Sequence, residues 1–381
     1  GNTFLEIYVS NGERIMVLRI PHYFDSFVCT AGECRDNCCY GGWQIDLDED
    51  TVEFYKSVKG DFGDRLRASI DYTDTYCFKL ENGGCPFLDD DNLCHIYKEL
   101  GPEHMGVVCT QFPRFSEYYG HYKETGIGLA CEEAARIILE DTKPFHIVER
   151  TIDEEEFEDE EYDGLLCKGI EKVRNCLFDV MNSDMEFADK LSVLLDTGEY
   201  IQELINRNDY KAILEYVPRY VNREALPYEE ADIMEIWDTY DSMEVLNVEW
   251  TEFVKDLTAS LHKDDYVRNL SGFNKENYPF TGYDKLVCYY LFRYLLQSVY
   301  DHDFAGKIYF MTANLILIKE MDIYIYKRDG MLTKEQHMEC IHMFSREIEY
   351  STDNLDTLSE EFLFSDIFCK ERLESIVRTL F

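Results

Sequence analysis

Thiols crowd the first third of this 381-residue chain. Cys29, Cys34, Cys38 and Cys39 fall within FVCTAGECRDNCCYGGWQIDLD, Cys85 and Cys94 within GGCPFLDDDNLCHIYKELG, Cys109 within VVCTQFPRF, and Cys131 within GLACEEAARIILE. Soft sulfur donors delivered from several separate short turns are what zinc or an iron–sulfur cluster requires, so a metal or cluster site is the first expectation. The spacing is neither that of paired C-x2-C zinc ribbons nor the ferredoxin run. Disulfides or plain buried thiols account for the same cysteines, because cysteine is also a small apolar core residue. Cys38 and Cys39 are adjacent and leave the backbone in different directions, so one faces a cluster while the other faces a second site or the core.

Other chemistry is sparse. There is no G-x-G-x-x-G after a strand, no P-loop, no G-x-S-x-G and no H-E-x-x-H. The fragment TGIGLA lacks the preceding strand and distal acid of a dinucleotide site. His95 and His104 lie near framework cysteines and are further ligand candidates, although the thiols alone suffice. Asp36, Trp43, Arg114 and Arg136 are candidates for supporting or substrate-side roles by their adjacency to the cysteines. Cys77, Cys167, Cys176, Cys288, Cys340 and Cys369 have no chelating spacing and read as core or surface thiols.

The stretches YFDSFVCTAGECRDNCCYGGWQI, CPFLDDDNLCHIYKELG, CTQFPRF and LACEEAARIILE resemble the flagellin lysine-N-methylase family, whose cysteine framework is shared with a wider zinc- or iron-chelating group. KLVCYYLFRYLLQSVYDHDF resembles that family's helical second half, so the likeness covers residues 16–381. One departure is Glu132, where the family often has proline. The resemblance implies methyl transfer from S-adenosylmethionine to lysine side chains of flagellin, in the cytoplasm, and a four-iron four-sulfur cluster on the amino-terminal cysteines. The alternative is a chelating protein with a structural zinc or iron and a helical partner-binding part, without catalysis.

A net charge of −40 excludes a nucleic-acid binder that works by phosphate neutralisation. It suits either a lysine-bearing partner steered by long-range attraction or plain solubility. No stretch approaches the roughly 20 apolar residues of a membrane span; the longest candidate, 308–318, stops at Lys319. No charged-then-apolar leader is visible, and a reducing cytoplasm keeps thiols free for metals.

The elements that must position these residues suggest a mainly α protein with a small α+β cysteine-rich amino-terminal domain and a helical-array carboxy-terminal part. Four segments are expected: an extension over 1–15, read as an edge strand or arm; a metal- or cluster-binding domain over 16–143; an acidic linker over 144–163; and a helical domain over 164–381. Met16 to Ile20 reads as a strand stopped by Pro21, WQIDL and YCFKL as strands, and Asp48 as the cap of a helix ended by Gly60. Asp91 or Asn92 would cap a helix with Cys94 in its first turn. Cys131, Ala134, Ala135, Ile138 and Leu139 share one face, which puts Cys131 at the buried start of a helix where free amides favour thiolate. Within the linker, FHIVERTI reads as a possible strand and DEEEFEDEEYD as a solvated run. Beyond it, stripes such as Val287, Tyr290, Leu291, Tyr294 and Leu295, or Leu373, Ile376, Val377 and Leu380, indicate packed helices, with a turn over 327–330.

Overall fold

The computed structural model describes residues 16–154, 162–224, 226–261, 266–276 and 278–381. The arm expected over 1–15 and the 155–161 part of the acidic run lie outside the described residues.

Strand β1 (Met16–Pro21) forms as expected, and Pro21 ends it by withdrawing a donor. Helix α1 (Glu49–Ser57) is capped by the Asp48 carboxylate, which accepts from Thr51 N at 2.9 Å. The helix stops at Val58, and Gly60 opens a second one, α2 (Gly60–Ala68), rather than only ending the first. Its φ of +82° lets the chain turn there, where a side chain would be strained. Next, β2 (Ile70–Asp71) pairs antiparallel with β3 (Cys77–Phe78), the strand expected in YCFKL. WQIDL contributes only a single bridge, Asp46 to Cys77. Cys94 is the N-cap of α3 (His95–Leu100), one position outside the first turn expected for it. Neither Asp91 nor Asn92 caps that helix; instead the Asp89 carboxylate accepts from Asp91 N and Leu93 N, both at 2.9 Å, and shapes the loop before it. After α4 (Val107–Gln111) come β4 (Arg114–Tyr119) and β5 (Tyr122–Ile127), rich in aromatic residues and joined through Gly120. Cys131 caps α5 (Glu132–Glu140), as its spacing predicts, and β6 (Ile147–Ile152) realises the strand in FHIVERTI.

Four of these strands make one sheet, in the order β4-β5-β1-β6, with β5 parallel to β1 and β6 antiparallel to it. The stretch 144–163 therefore does more than link: β6 pairs with β1 from Met16↔Ile152 to Pro21↔Ile147. Sheet pairing runs through backbone groups and is indifferent to the acids that follow.

Two cores result, and their border does not fall at residue 143. Ile45, Val52, Tyr55, Leu66, Phe78, Phe87 and Ile96 close a small one. Tyr23, Phe27, Ile127, Leu129 and Ile138 belong instead to a large core that continues to Leu380. The sheet and α5 thus bury their apolar faces against the helices rather than against the small unit.

The helical part comprises α6 (Gly164–Met181), α7 (Phe187–Asn206), α8 (Tyr210–Glu215), α9 (Glu230–Asp241), α10 (Val248–Leu261), α11 (Tyr266–Glu276), α12 (Tyr283–Tyr294), α13 (Ser298–Asp301), α14 (Phe304–Asp329), α15 (Lys334–Glu349), α16 (Thr352–Phe364) and α17 (Lys370–Leu380). Helix α14 is buried on every side, from Ile308 through Leu315 to Ile325, and is the axis against which α7, α12, α15, α16 and α17 pack. Some of the acidic excess is spent on helix starts: Asp163, Asp209 and Asp303 accept from backbone amides of α6, α8 and α14. Gly330, left-handed at φ +80°, ends α14 at the expected turn. No helix among the described residues is long and apolar enough to cross a membrane.

Candidate functional site

The cysteines of the framework are brought towards one another by short turns rather than by long elements. Cys29 and Cys34 flank a single 3-10 turn, Ala31–Glu33, in which Cys34 N donates to Ala31 O. The Cys29 sulfur accepts from Ala31 N at 3.4 Å. Cys38 and Cys39 share the next turn, Cys38–Tyr40, whose cap Asn37 accepts from Cys39 N at 2.9 Å. Cys85 N donates to Cys39 O at 2.8 Å, and a bridge between Leu88 and Cys94 folds the 85–94 loop back on itself. Cys85, Cys94 and Cys109 all pack against the small core, whereas Cys131 packs against the large one.

All fourteen cysteines are free thiols. Burial pushes the Cys109 thiol up to about 12, and the nearby Cys85, Cys94 and Cys38 sulfurs add to the shift. Cys85 is pushed up to about 11, again by burial first. Cys131 is likewise raised to about 11, although the amides of Glu133 and Ala134 pull against burial. Of the adjacent pair, Cys38 ionises the more readily, because the Cys39 thiol donates to it; Cys39 is held protonated by that bond. Among the described residues no three His, Cys, Asp or Glu side chains close around a single ion.

The other residues singled out by adjacency meet different fates. Asp36 reaches the helical part, where His342 Nε2 and Arg346 Nη1 both donate to its carboxylate. Burial opposes ionisation, but those two bonds outweigh it and hold the group at about 2. Trp43 forms a triangle of rings with Phe112 and Tyr350, centroids 5.4 to 5.7 Å apart, and Arg346 lies over its face at 5.1 Å. Arg114 lies over the Phe27 ring at 5.0 Å. Arg136 turns outward on α5, paired with Glu133 and Glu140. His95 and His104 also have ring partners, Phe62 and Phe54 respectively, and His95 Nδ1 lies 3.1 Å from Arg65 Nη1.

Sequence reasoning missed the residues that tie the thiol segment to the rest. Glu132, the departure from proline, accepts from Arg35 N at 3.0 Å and Arg35 Nε at 2.7 Å, and lies 3.6 Å from the Cys34 sulfur. His342 and Arg346 are some three hundred positions from Asp36, and nothing local in α15 signals such a role. A shallow cleft opens beside this strap, lined by Asp36, Gly41, Leu246, Asn247, Glu339 and Glu347. Glu347 is 2% exposed and accepts from Leu246 N at 2.7 Å and Asn247 N at 3.1 Å. Burial nevertheless raises its carboxyl to about 7.

Fold and site together define a helical protein whose thiol-rich amino-terminal unit is strapped onto its helices. Residues 174–373, just over half of the chain, match the model of the FliB lysine N-methylase C-terminal domain, and the chain belongs to that family. The matched stretch holds His342 and Arg346 but none of the framework cysteines. The lysine-N-methylase of Salmonella typhimurium is 32% identical over 149 residues, 36% of this chain and 36% of that protein. The same enzyme from Salmonella choleraesuis matches equally. The flagellar biosynthetic protein FliU of Salmonella muenchen is 32% identical over 133 residues, 32% of this chain and 76% of that one. The match thus spans about a third of the length of the two methylases. No solved structure matches the chain.

Proposed function

We propose that this chain moves a methyl group from S-adenosylmethionine to the side-chain amine of lysines in flagellin, in the cytoplasm, with an iron–sulfur cluster held on the amino-terminal thiols. The observation that carries the reading is the family match over 174–373, joined through His342 and Arg346 to Asp36 in the midst of the cysteines. The donor set suits such a group. Thiols arrive from four separate segments, none is in a disulfide, and they are spread too widely for one ion, whereas a cluster takes its ligands on different irons. When bound, an iron with an open position supplies a Lewis-acidic or electron-donating point.

The remaining tasks fall to the chain itself. A lysine must lose its proton before its nitrogen can accept a methyl group. The cleft beside Asp36 presents carboxylates that attract an ammonium, and Glu347, raised to about 7 by burial, exchanges a proton near neutrality. The net charge of −40 adds a long-range pull on a lysine-bearing partner.

The test is direct. Oxygen-free, cluster-reconstituted protein is incubated with S-adenosylmethionine, reductant and unmethylated flagellin, and flagellin lysines are followed by mass spectrometry. Gains of about 14 Da per methyl are expected. Flagellin of unchanged mass under those conditions leaves a chelating protein without catalysis as the reading.

A further inference from the structure

We propose that residues 29–111, which carry every framework thiol but Cys131, form a hinged cover over the cleft, latched by the adjacent Arg35 and Asp36 and opening to admit a cationic side chain of a protein partner. This goes beyond the methylase reading and calls for neither donor nor cluster.

The segment is a body of its own. Its elements α1, α2, β2, β3 and α3 close the small core and pack chiefly on one another, and none of them makes an extensive contact with a helix from α6 onward. The thiol turns go with it, since Cys39 O accepts from Cys85 N at 2.8 Å and Asn37 Nδ2 donates to Asn92 O at 3.2 Å. Two short passages tie it covalently to the rest. At one, Phe27 is fixed in the large core and residues 28–30 follow as irregular, largely exposed chain; at the other, Phe112 leads straight into β4. Phe112 belongs to the ring triangle with Trp43 and Tyr350, and Tyr350 is seated in the large body, with Arg293 over its ring at 5.5 Å. The three rings give the cover a pivot.

The catch is polar and reachable by water. Arg35 Nε donates to Glu132 Oε1 on α5 at 2.7 Å, and Asp36 accepts from His342 and Arg346 on α15, so two neighbouring residues of opposite charge grip two helices. The Arg35 side chain is 63% exposed and that of Asp36 30%. Ion pairs open to water are screened by salt, and bodies joined across a narrow, partly polar seam move against each other. The cleft lies on that seam. Asp36 and Gly41 line it from the cover, and Leu246, Asn247, Met343 and Glu347 line it from the helices, so any swing of the cover changes its width. With the catch closed the fit is tight: a Cβ at Gly42 would stand 3.1 Å from Leu246 O. A cation that enters competes with Arg346 for Asp36, and the guest itself thereby loosens the catch.

The experiment is hydroxyl-radical footprinting of the full chain, purified without oxygen and read by mass spectrometry. Parent, Asp36→Asn and Glu132→Gln are labelled at low salt, and the parent also at about 0.5 M salt, where charges more than a few ångströms apart are screened. Trp43, Met343 and Tyr350, all half-buried at the seam, are expected to label severalfold faster in high salt and in both variants. Tyr55 and Phe87 in the small core and Trp237 in the large one, all buried, should stay protected. A lysine-bearing peptide added to the parent at low salt should speed labelling of Trp43, and the same peptide with norleucine for lysine should not. The salt series on the parent needs no variant, so a misfolded variant does not blunt the test. Seam side chains that label at the parent's low-salt rate under every condition overturn the cover. So does labelling of Tyr55 and Phe87 in step with Trp43, which would mean that the small unit melts instead of swinging. Equal labelling of Trp43 with the two peptides overturns it as well. No arm involves methyl transfer, so each of these failures leaves the methylase reading standing, and flagellin of unchanged mass in the earlier test leaves the cover standing.

Discussion

Arg346 donates to the carboxylate of Asp36 from 310 positions further along the chain, and His342, one helical turn before it, donates to the same oxygen. The contact joins the turn that carries the cysteines to helix α15 and thereby to the family-matched part. The ring triangle of Trp43, Phe112 and Tyr350 and the hold of Glu132 on Arg35 join the same parts of the chain.

Replacing Asp36 by alanine leaves Arg346 and His342, both largely buried, without their acceptor. Removing one partner of such a group costs about 3–5 kcal/mol. The expected outcome is a lower urea midpoint together with faster proteolytic nicking within residues 40–110, ahead of cleavage in the helices. Equal midpoints and equal nicking in parent and Asp36→Ala would show that the strap carries no load.

A second ion pair tests whether buried charge supports stability or only occupies space. Arg174 Nη1 donates to Glu124 Oε2 at 2.7 Å, with both side chains almost wholly out of water, linking α6 to β5. Glu124→Gln should destabilise by about 3–5 kcal/mol, because a guanidinium is left buried and uncompensated. The double change Arg174→Met with Glu124→Leu should recover most of that loss in a denaturant titration. If the double variant is as unstable as Glu124→Gln alone, the fold needs the pair itself.

The carboxyl of Glu347 gives a pH signature of known sign. Its folded value, about 7, stands above the 4.5 of a free glutamate, chiefly through burial. The contribution is therefore fully favourable below about pH 4.5 and fades as pH rises towards 7, where the buried group must give up its proton. The loss is on the order of 3 kcal/mol. Glu347→Gln should flatten the stability profile between those limits, read from urea midpoints at half-unit steps. A parent profile that is already flat there contradicts the assignment.

Much of the scaffold was legible in one dimension. Apolar stripes of period 3.6 marked α12 and α17, Asp48 marked the start of α1, Pro21 the end of β1, and Cys131 the head of α5, because capping and periodicity are properties of neighbours in sequence. The helical second half, read from the same periodicity, agrees with the family to which the chain belongs, whereas the cysteine spacing raised a thiol-held metal as an expectation that stands as a proposal.

What the sequence could not decide depends on which distant surfaces meet. The placement of β6 beside β1, the assignment of α5 to the large core, and the grip of α15 on Asp36 all follow from tertiary packing. So does the outward turn of Arg136, whose neighbours Glu133 and Glu140 claim it on the exposed face of α5. Local pattern fixes which side chains share a face and where each helix begins. Only the collapse of two cores against each other fixes what a carboxylate such as Asp36 or Glu132 finds opposite it, because that partner comes from a part of the chain whose distance in sequence says nothing of its distance in space.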